Sequence, residues 1–162
     1  MIERWESPDN ELRQLPFEAP YAFDREHKHL PEMVRYSALE VAPYFLPAVG
    51  AFVTGMRVQV PVHVEALNGY SAQTVLEVLS ERYRDDFFVN VGELGQTDSP
   101  ETALDPRACN GTNRIELKVL SHPAGHVNLV AVLDNLGKGA CGMAIQSMNL
   151  MLGMPEYTGL PG

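Results

Sequence analysis

Two short stretches hold the residue types from which chemistry could be built. The first, residues 26–33, reads EHKHLPEM and carries His27, His29 and Glu32. Histidine is the side chain whose ordinary pKa lies closest to neutrality, so it exchanges protons at physiological pH. Two histidines two apart point the same way in an extended chain, and a carboxylate just inside a following helix can reach back toward one of them. Such a carboxylate, bonded to one ring nitrogen, sets the tautomer and leaves the other nitrogen to move protons. The same three residues could ligate zinc, but their spacing fits neither the His-Glu-x-x-His helix nor a Cys/His finger, and no metal is expected. A solvated turn is the ordinary reading of any one of these histidines; the pair together with Glu32 favours acid–base work.

The second stretch, residues 134–153, reads DNLGKGACGMAIQSMNLMLG. Ala140, Met143, Ala144, Met148 and Met151 recur at helical spacing, so a helix with one apolar face is expected. Gly137, Gly139 and Gly142 stand in and before its first turn, where glycine destabilises a helix. Either a tight turn requires them, or the free N–H groups of the helix start, with Lys138, receive an anion. Spacing alone favours the tight turn. Cys141 is either activated by the helix start or a small buried residue. His63 reads as a packed or surface histidine, and His122 and His126 as solvent-facing residues beside a turn.

Around these stretches the periodicities define the elements. Residues 1–20 mix charge with Pro8, Pro16 and Pro20 and read as a lead-in arm. A short helix starts at Pro31 and is expected to run until Pro43 stops it. From Ala51 to Glu65 the chain alternates, placing Met56, Val58, Val60, Val62 and Val64 on one side of a long strand. Pro61 removes a ladder donor there and implies an edge or a bulge. Ser71 caps an amphipathic helix with a stripe of Val75, Leu76, Val78, Leu79 and Tyr83. A strand over residues 87–91 precedes a long loop over 92–113, and the runs 114–121 and 126–134 form a hairpin. Strands in largely antiparallel pairing, with helices between them, define an α+β fold built on a mixed sheet.

Composition narrows the partners. The 162 residues are 45% apolar, enough for a core, and 12 Lys plus Arg against 21 Asp plus Glu give a net charge of −9. That balance argues against a broad nucleic-acid surface or a surface for anionic membranes. No run reaches the roughly 20 apolar residues of a spanning helix, and the charged start lacks a signal peptide's apolar stretch. Cys109 and Cys141 suit reduced thiols, so a soluble cytoplasmic protein is expected.

Over about Tyr21 to Gly153 the chain resembles the C-terminal half of the N-acetyl-γ-glutamyl-phosphate reductases, members of the semialdehyde dehydrogenase group. HKHLPEM resembles the family's H-R-H-x-P-E, and DNLGKGACGMAIQSMNLMLG resembles its D-N-L-x-K-G-A-x-G-Q-A-x-Q-x-x-N. ACNGTNRIEL is a weaker match to the region ahead of the family's late strands. The resemblance implies reduction of an acyl phosphate, N-acetylglutamyl phosphate, by NADP(H) in two steps through a thioester on a cysteine. It makes His29 the acid–base residue, places His27 at the substrate and gives Glu32 the orienting of a histidine or the substrate. It turns the glycine-rich segment toward the cofactor, with Asn135 the direct contact and Gly137, Lys138 and Gly139 beside it.

The fold implied is that of a glyceraldehyde-3-phosphate-dehydrogenase-like C-terminal domain, with helices on one face of the sheet. Residues 21–134 would be the substrate and dimerisation domain, and 135–162 a cofactor-facing helix and tail made to pack on a nucleotide-binding half. A homodimer is implied as well. Several positions depart from the family pattern: Lys28 stands for its usual Arg, Met143 for a common Gln, and Thr54 precedes Gly55 where many members have Arg. Neither a G-x-G-x-x-G fingerprint nor a cysteine in an N-P-G-C-Y setting occurs. The chain alone is therefore expected to be inactive, as a fragment, a split subunit or a truncated gene product. A non-catalytic dimerisation or regulatory module derived from the same fold is the other reading.

Overall fold

The structure is a computed structural model that describes residues 18–24, 27–96 and 104–162. Residues 1–17, most of the expected lead-in arm, and 97–103 of the long loop lie outside the described residues. The chain divides into two compact units, one ending at Val53 and the other running from Thr54 to Gly162, so the division falls inside the region 21–134.

In the first unit, strand β1 (Ala19–Pro20) pairs antiparallel with β2 (Ala48–Val49), so the last residues of the expected arm are tied into structure. Between them helix α1 spans His29–Tyr36. Pro31 falls in its first turn, where a missing N–H loses no helical bond. The helix does not continue toward Pro43. Ser37 leaves helical geometry and Ala38 takes a left-handed φ of 50°, which ends the ladder.

The second unit is built on a five-stranded mixed sheet in the order β3-β7-β6-β4, with β5 also paired to β6. Strand β3 is Met56–Val62, β4 Val89–Val91, β5 Gly95–Gln96, β6 Ile115–Ser121 and β7 Val127–Leu133. β3 and β6 pair antiparallel with β7, whereas β4 and β5 run parallel to β6. The fold is therefore α+β with the largely antiparallel mixed sheet expected from the periodicity. β3 lies at the edge, and its ladder continues through Pro61 opposite Asn128, so the proline marks an edge and not a bulge.

β3 is shorter than its alternation suggests at both ends. It starts only after Gly55, whose φ is 121° and where a Cβ would meet the Pro106 carbonyl at 2.6 Å. It stops because His63 caps a 3₁₀ turn over Val64–Leu67, its Nδ1 accepting the Glu65 N–H at 3.4 Å. Helix α2 (Ala72–Arg82) starts where Ser71 predicts, with the serine Oγ accepting the Thr74 N–H at 3.1 Å. It packs on β6 and β4.

The register puts Val58, Ala131 and Leu117 on one sheet face and Val130, Val132 and Leu120 on the other. The second face forms the core. Val130, Val132 and Leu120 pack with the fully buried Cys109 and with Leu104 from the long loop. That loop thus serves as a core lid on its described part, and burial pushes the Cys109 thiol pKa up, which suits an inert packed residue. On the first face Val58 and Val60 remain exposed.

The chain then passes through a wide π turn, Gly137–Cys141, into helix α3, Gly142–Met151. Its apolar face is turned outward, as expected of a helix made to pack on a nucleotide-binding half. Gly142 and Asn149 are its buried residues, while Met143, Met148 and Met151 face solvent, Met151 at 87% exposure. Asn149 holds the inner side: its Nδ2 donates to the Glu156 and Thr158 carbonyls, so the amide anchors the following segment beneath the helix. No helix among the described residues is long and apolar enough to cross a membrane.

Candidate active site

His27 and His29 sit at the mouth of α1. Their rings lie 4.7 Å apart edge to face, and His27 also meets the Phe45 ring at 5.0 Å and the Tyr21 ring at 5.8 Å. The His27 Nδ1 accepts the His29 backbone N–H at 3.2 Å. A neutral His27 therefore carries its proton on Nε2. The His29 ring is exposed, and its two nitrogens make no hydrogen bond among the described residues. Glu32 is exposed one turn into the helix and bonds to neither ring, so it does not set a histidine tautomer here. Beside the pair an open groove is lined by His27, Lys28, Leu30, Pro31, Val34 and Arg35. No group of three metal-ligating side chains occurs among the described residues.

In the second unit the glycine-rich turn is organised by Asp134, to which the sequence pattern assigns only the end of a strand. Its Oδ1 accepts the Thr54 hydroxyl at 2.6 Å and the backbone N–H groups of Leu136 and Gly137 at 2.9 and 3.0 Å. Oδ2 accepts the Gly111 N–H at 2.9 Å. These donors, the Thr54 hydroxyl first, hold the carboxyl well below the usual carboxylate range despite 6% exposure. Asn135 turns its Oδ1 to the Gly55 N–H at 2.8 Å and to the Thr54 hydroxyl at 3.0 Å. That orientation fixes the amide and leaves its Nδ2 without a hydrogen bond among the described residues.

Lys138 points inward. It is 6% exposed, its Nζ donates to Gln146 Oε1 at 2.7 Å, and it lies 5.4 Å from the Phe88 ring centre. Gln146 passes the link to Glu156 Oε2 at 2.7 Å and also accepts Asn113 Nδ2 at 3.1 Å. Burial lowers the Lys138 pKa, with Glu156 and Asp86 acting against that shift. The ammonium is thus spent inside the fold, and the anion-receiving alternative for this turn has no cation facing outward.

Packing accounts for two of the three glycines. A Cβ on Gly142 would stand 2.2 Å from Asn113 Oδ1, and one on Gly137 would meet Thr112 O and Asp134 Cγ at 3.2 Å; Gly139 has ordinary room. Cys141 is exposed, and its Sγ donates to the Leu136 carbonyl at 3.0 Å, so it is neither buried nor free at the helix start. The signal that could have exposed the inward side was the polar pair Gln146 and Asn149, which sequence periodicity treats as the helix's wet side.

Residues 11–135 match the semialdehyde dehydrogenase dimerisation domain, and the chain belongs to that family. The related proteins are more particular. A protein of Burkholderia orbicola (strain MC0-3), 40% identical over 154 residues, is an N-acetyl-γ-glutamyl-phosphate reductase, with 94% of this chain and 49% of the relative aligned. Reductases of the same name from Allorhizobium ampelinum and Trichormus variabilis are 42% and 36% identical, aligned over 82% and 99% of this chain and 43% and 52% of their own lengths. The chain spans about half the length of the curated relatives it matches.

Proposed function

We propose that this chain is the substrate and dimerisation half of an NADPH-dependent N-acetyl-γ-glutamyl-phosphate reductase, working with a nucleotide-binding half that carries the nucleophilic cysteine. The observation that carries the reading is the His27–His29 pair, in which one ring has its tautomer set and the other keeps both nitrogens uncommitted. His29 is then the acid–base residue. It accepts the thiol proton as the thiolate displaces phosphate from the acyl carbon, and it returns a proton to sulfur when the aldehyde leaves. His27 holds the neighbouring wall of the substrate groove, and the Glu32 carboxylate, free of both rings, orients the substrate.

The turn after β7 fits a cofactor through an amide and not through a charge. Asn135 offers an uncommitted Nδ2, and Gly137 and Gly139 keep the backbone low beside it, while Lys138 supports the turn from inside. NADPH, when bound there, supplies the hydride for the thioester carbon. The solvent-facing Met143, Met148 and Met151 give the other half an apolar face to pack on, and Val58 and Val60 do the same for a second copy of the chain. On this reading the chain is inactive by itself and works in the cytoplasm as a homodimer.

The test mixes the chain with a separately made nucleotide-binding half from a related reductase and follows NADPH formation from N-acetylglutamate semialdehyde and phosphate. Activity should require both halves and fall by roughly 100-fold or more in His29→Ala. A stable complex without activity would instead favour a non-catalytic dimerisation module.

A further inference from the structure

Acid–base chemistry and cofactor contact leave one feature without a purpose: four donors converge on a single buried carboxylate. They come from three separate stretches of chain, Thr54 before β3, Gly111 in the long loop, and Leu136 and Gly137 in the turn. A carboxylate is acceptor-only, and these donors engage both of its oxygens, three on Oδ1 and one on Oδ2. We propose that Asp134 is a positioning residue for hydride transfer, setting the course of the turn after β7 and, through Thr54 and Gly55, the direction in which Asn135 offers its Nδ2. The proposal rests on the cofactor role of that amide given above.

The route is short and physical. Asp134 holds the Thr54 hydroxyl, and the Thr54 carbonyl is held from the other side by Asn110 Nδ2 at 2.9 Å. With Thr54 fixed, the Gly55 N–H is fixed, and it is this N–H that pins Asn135 Oδ1 at 2.8 Å. The amide's remaining donor can then point only one way. Glutamate in place of Asp134 is one methylene too long for the same four contacts. Asparagine would bring an NH₂ against the Gly111 N–H or, flipped, against those of Leu136 and Gly137.

Two measurements separate this role from the reaction itself. The first is backbone amide exchange in the chain carrying Asp134→Asn. Exchange at Gly111, or at Leu136 and Gly137, should quicken by about tenfold or more while the β6 and β7 amides stay unchanged. The second is steady-state kinetics with the nucleotide-binding half. Thr54→Val, which removes the hydroxyl, should raise the KM for the nicotinamide cofactor by about tenfold with the KM for the semialdehyde unmoved, and Thr54→Ser should restore it. Unchanged exchange in Asp134→Asn overturns the proposal, and so does an unmoved cofactor KM in Thr54→Val. Wild-type halves that form a complex yet do not react would overturn the assigned function and the link to the cofactor, while faster exchange would still give Asp134 control of the turn.

Discussion

Replacing Gly142 by alanine tests whether the glycines serve packing. In an ordinary helix this change stabilises by about 1 kcal/mol, because alanine loses less backbone freedom on folding. Here the new Cβ would stand 2.2 Å from Asn113 Oδ1 and 2.9 Å from the Gly137 carbonyl. Asn113 is 1% exposed and cannot swing into solvent. Overpacking of this kind costs about 1–3 kcal/mol. Displacing Asn113 from Gln146 removes a hydrogen bond worth about 1 kcal/mol more. The net expectation is a loss of about 1–3 kcal/mol, a fall in Tm of roughly 3–10 °C for a chain of this size. Thermal and urea unfolding followed by circular dichroism would read it, with Gly139→Ala as the partner variant. Gly139 meets nothing closer than 3.4 Å, so its alanine should be neutral or stabilising. A stabilised Gly142→Ala would refute the packing account.

The remaining expectations concern charge and assembly. Burial lowers the Lys138 pKa below its ordinary 10.5, so the unfolded chain binds the extra proton and wild-type stability rises as pH climbs toward 10.5. In Lys138→Met that rise should disappear from urea unfolding taken across this alkaline range; an unchanged slope would contradict the inward placement. Asp134 gives a slope of the same sign in the acid range, since its folded pKa is lowered too: its stabilisation is full above the unfolded carboxylate value near 3.8 and is lost as pH falls from there through the depressed folded value. Asp134→Ala should therefore lose about 2 kcal/mol or more at pH 7, seen as a lower urea midpoint, because buried donors lose their acceptor. On the exposed face of β3, Val60→Lys should turn the proposed homodimer to monomer in sedimentation while leaving the fold's circular dichroism unchanged, and a variant that remains dimeric would remove that face from the interface.

Local rules read much of the frame correctly. The Ser71 cap, the alternation of β3 and the hairpin of β6 with β7 all follow from contacts between near neighbours, and the structure repeats them. The endpoints follow from backbone turns that periodicity does not encode and were misplaced. β3 begins at Met56 because Pro106 presses on Gly55, and α1 ends at Tyr36 because Ala38 turns left-handed. The histidine pair was legible as a pair, since spacing brings the rings together, but the assignment of Glu32 to a ring was not, since its direction depends on the helix's rotation.

By itself, then, the sequence determined the α+β pattern, the hairpin of β6 with β7 and the two stretches with chemical potential, because periodicity and capping act over a few residues. Only the tertiary structure decided which side of α3 is inside. Its methionines were expected to face a nucleotide-binding half, but what would lie on its other side was not legible: Gly142 and Asn149 are buried and Gln146 faces the internal network, because Asn113, Lys138 and Glu156 supply polar partners from outside the helix. A buried amide is stable where its hydrogen bonds are met, and no periodicity encodes where those partners will lie.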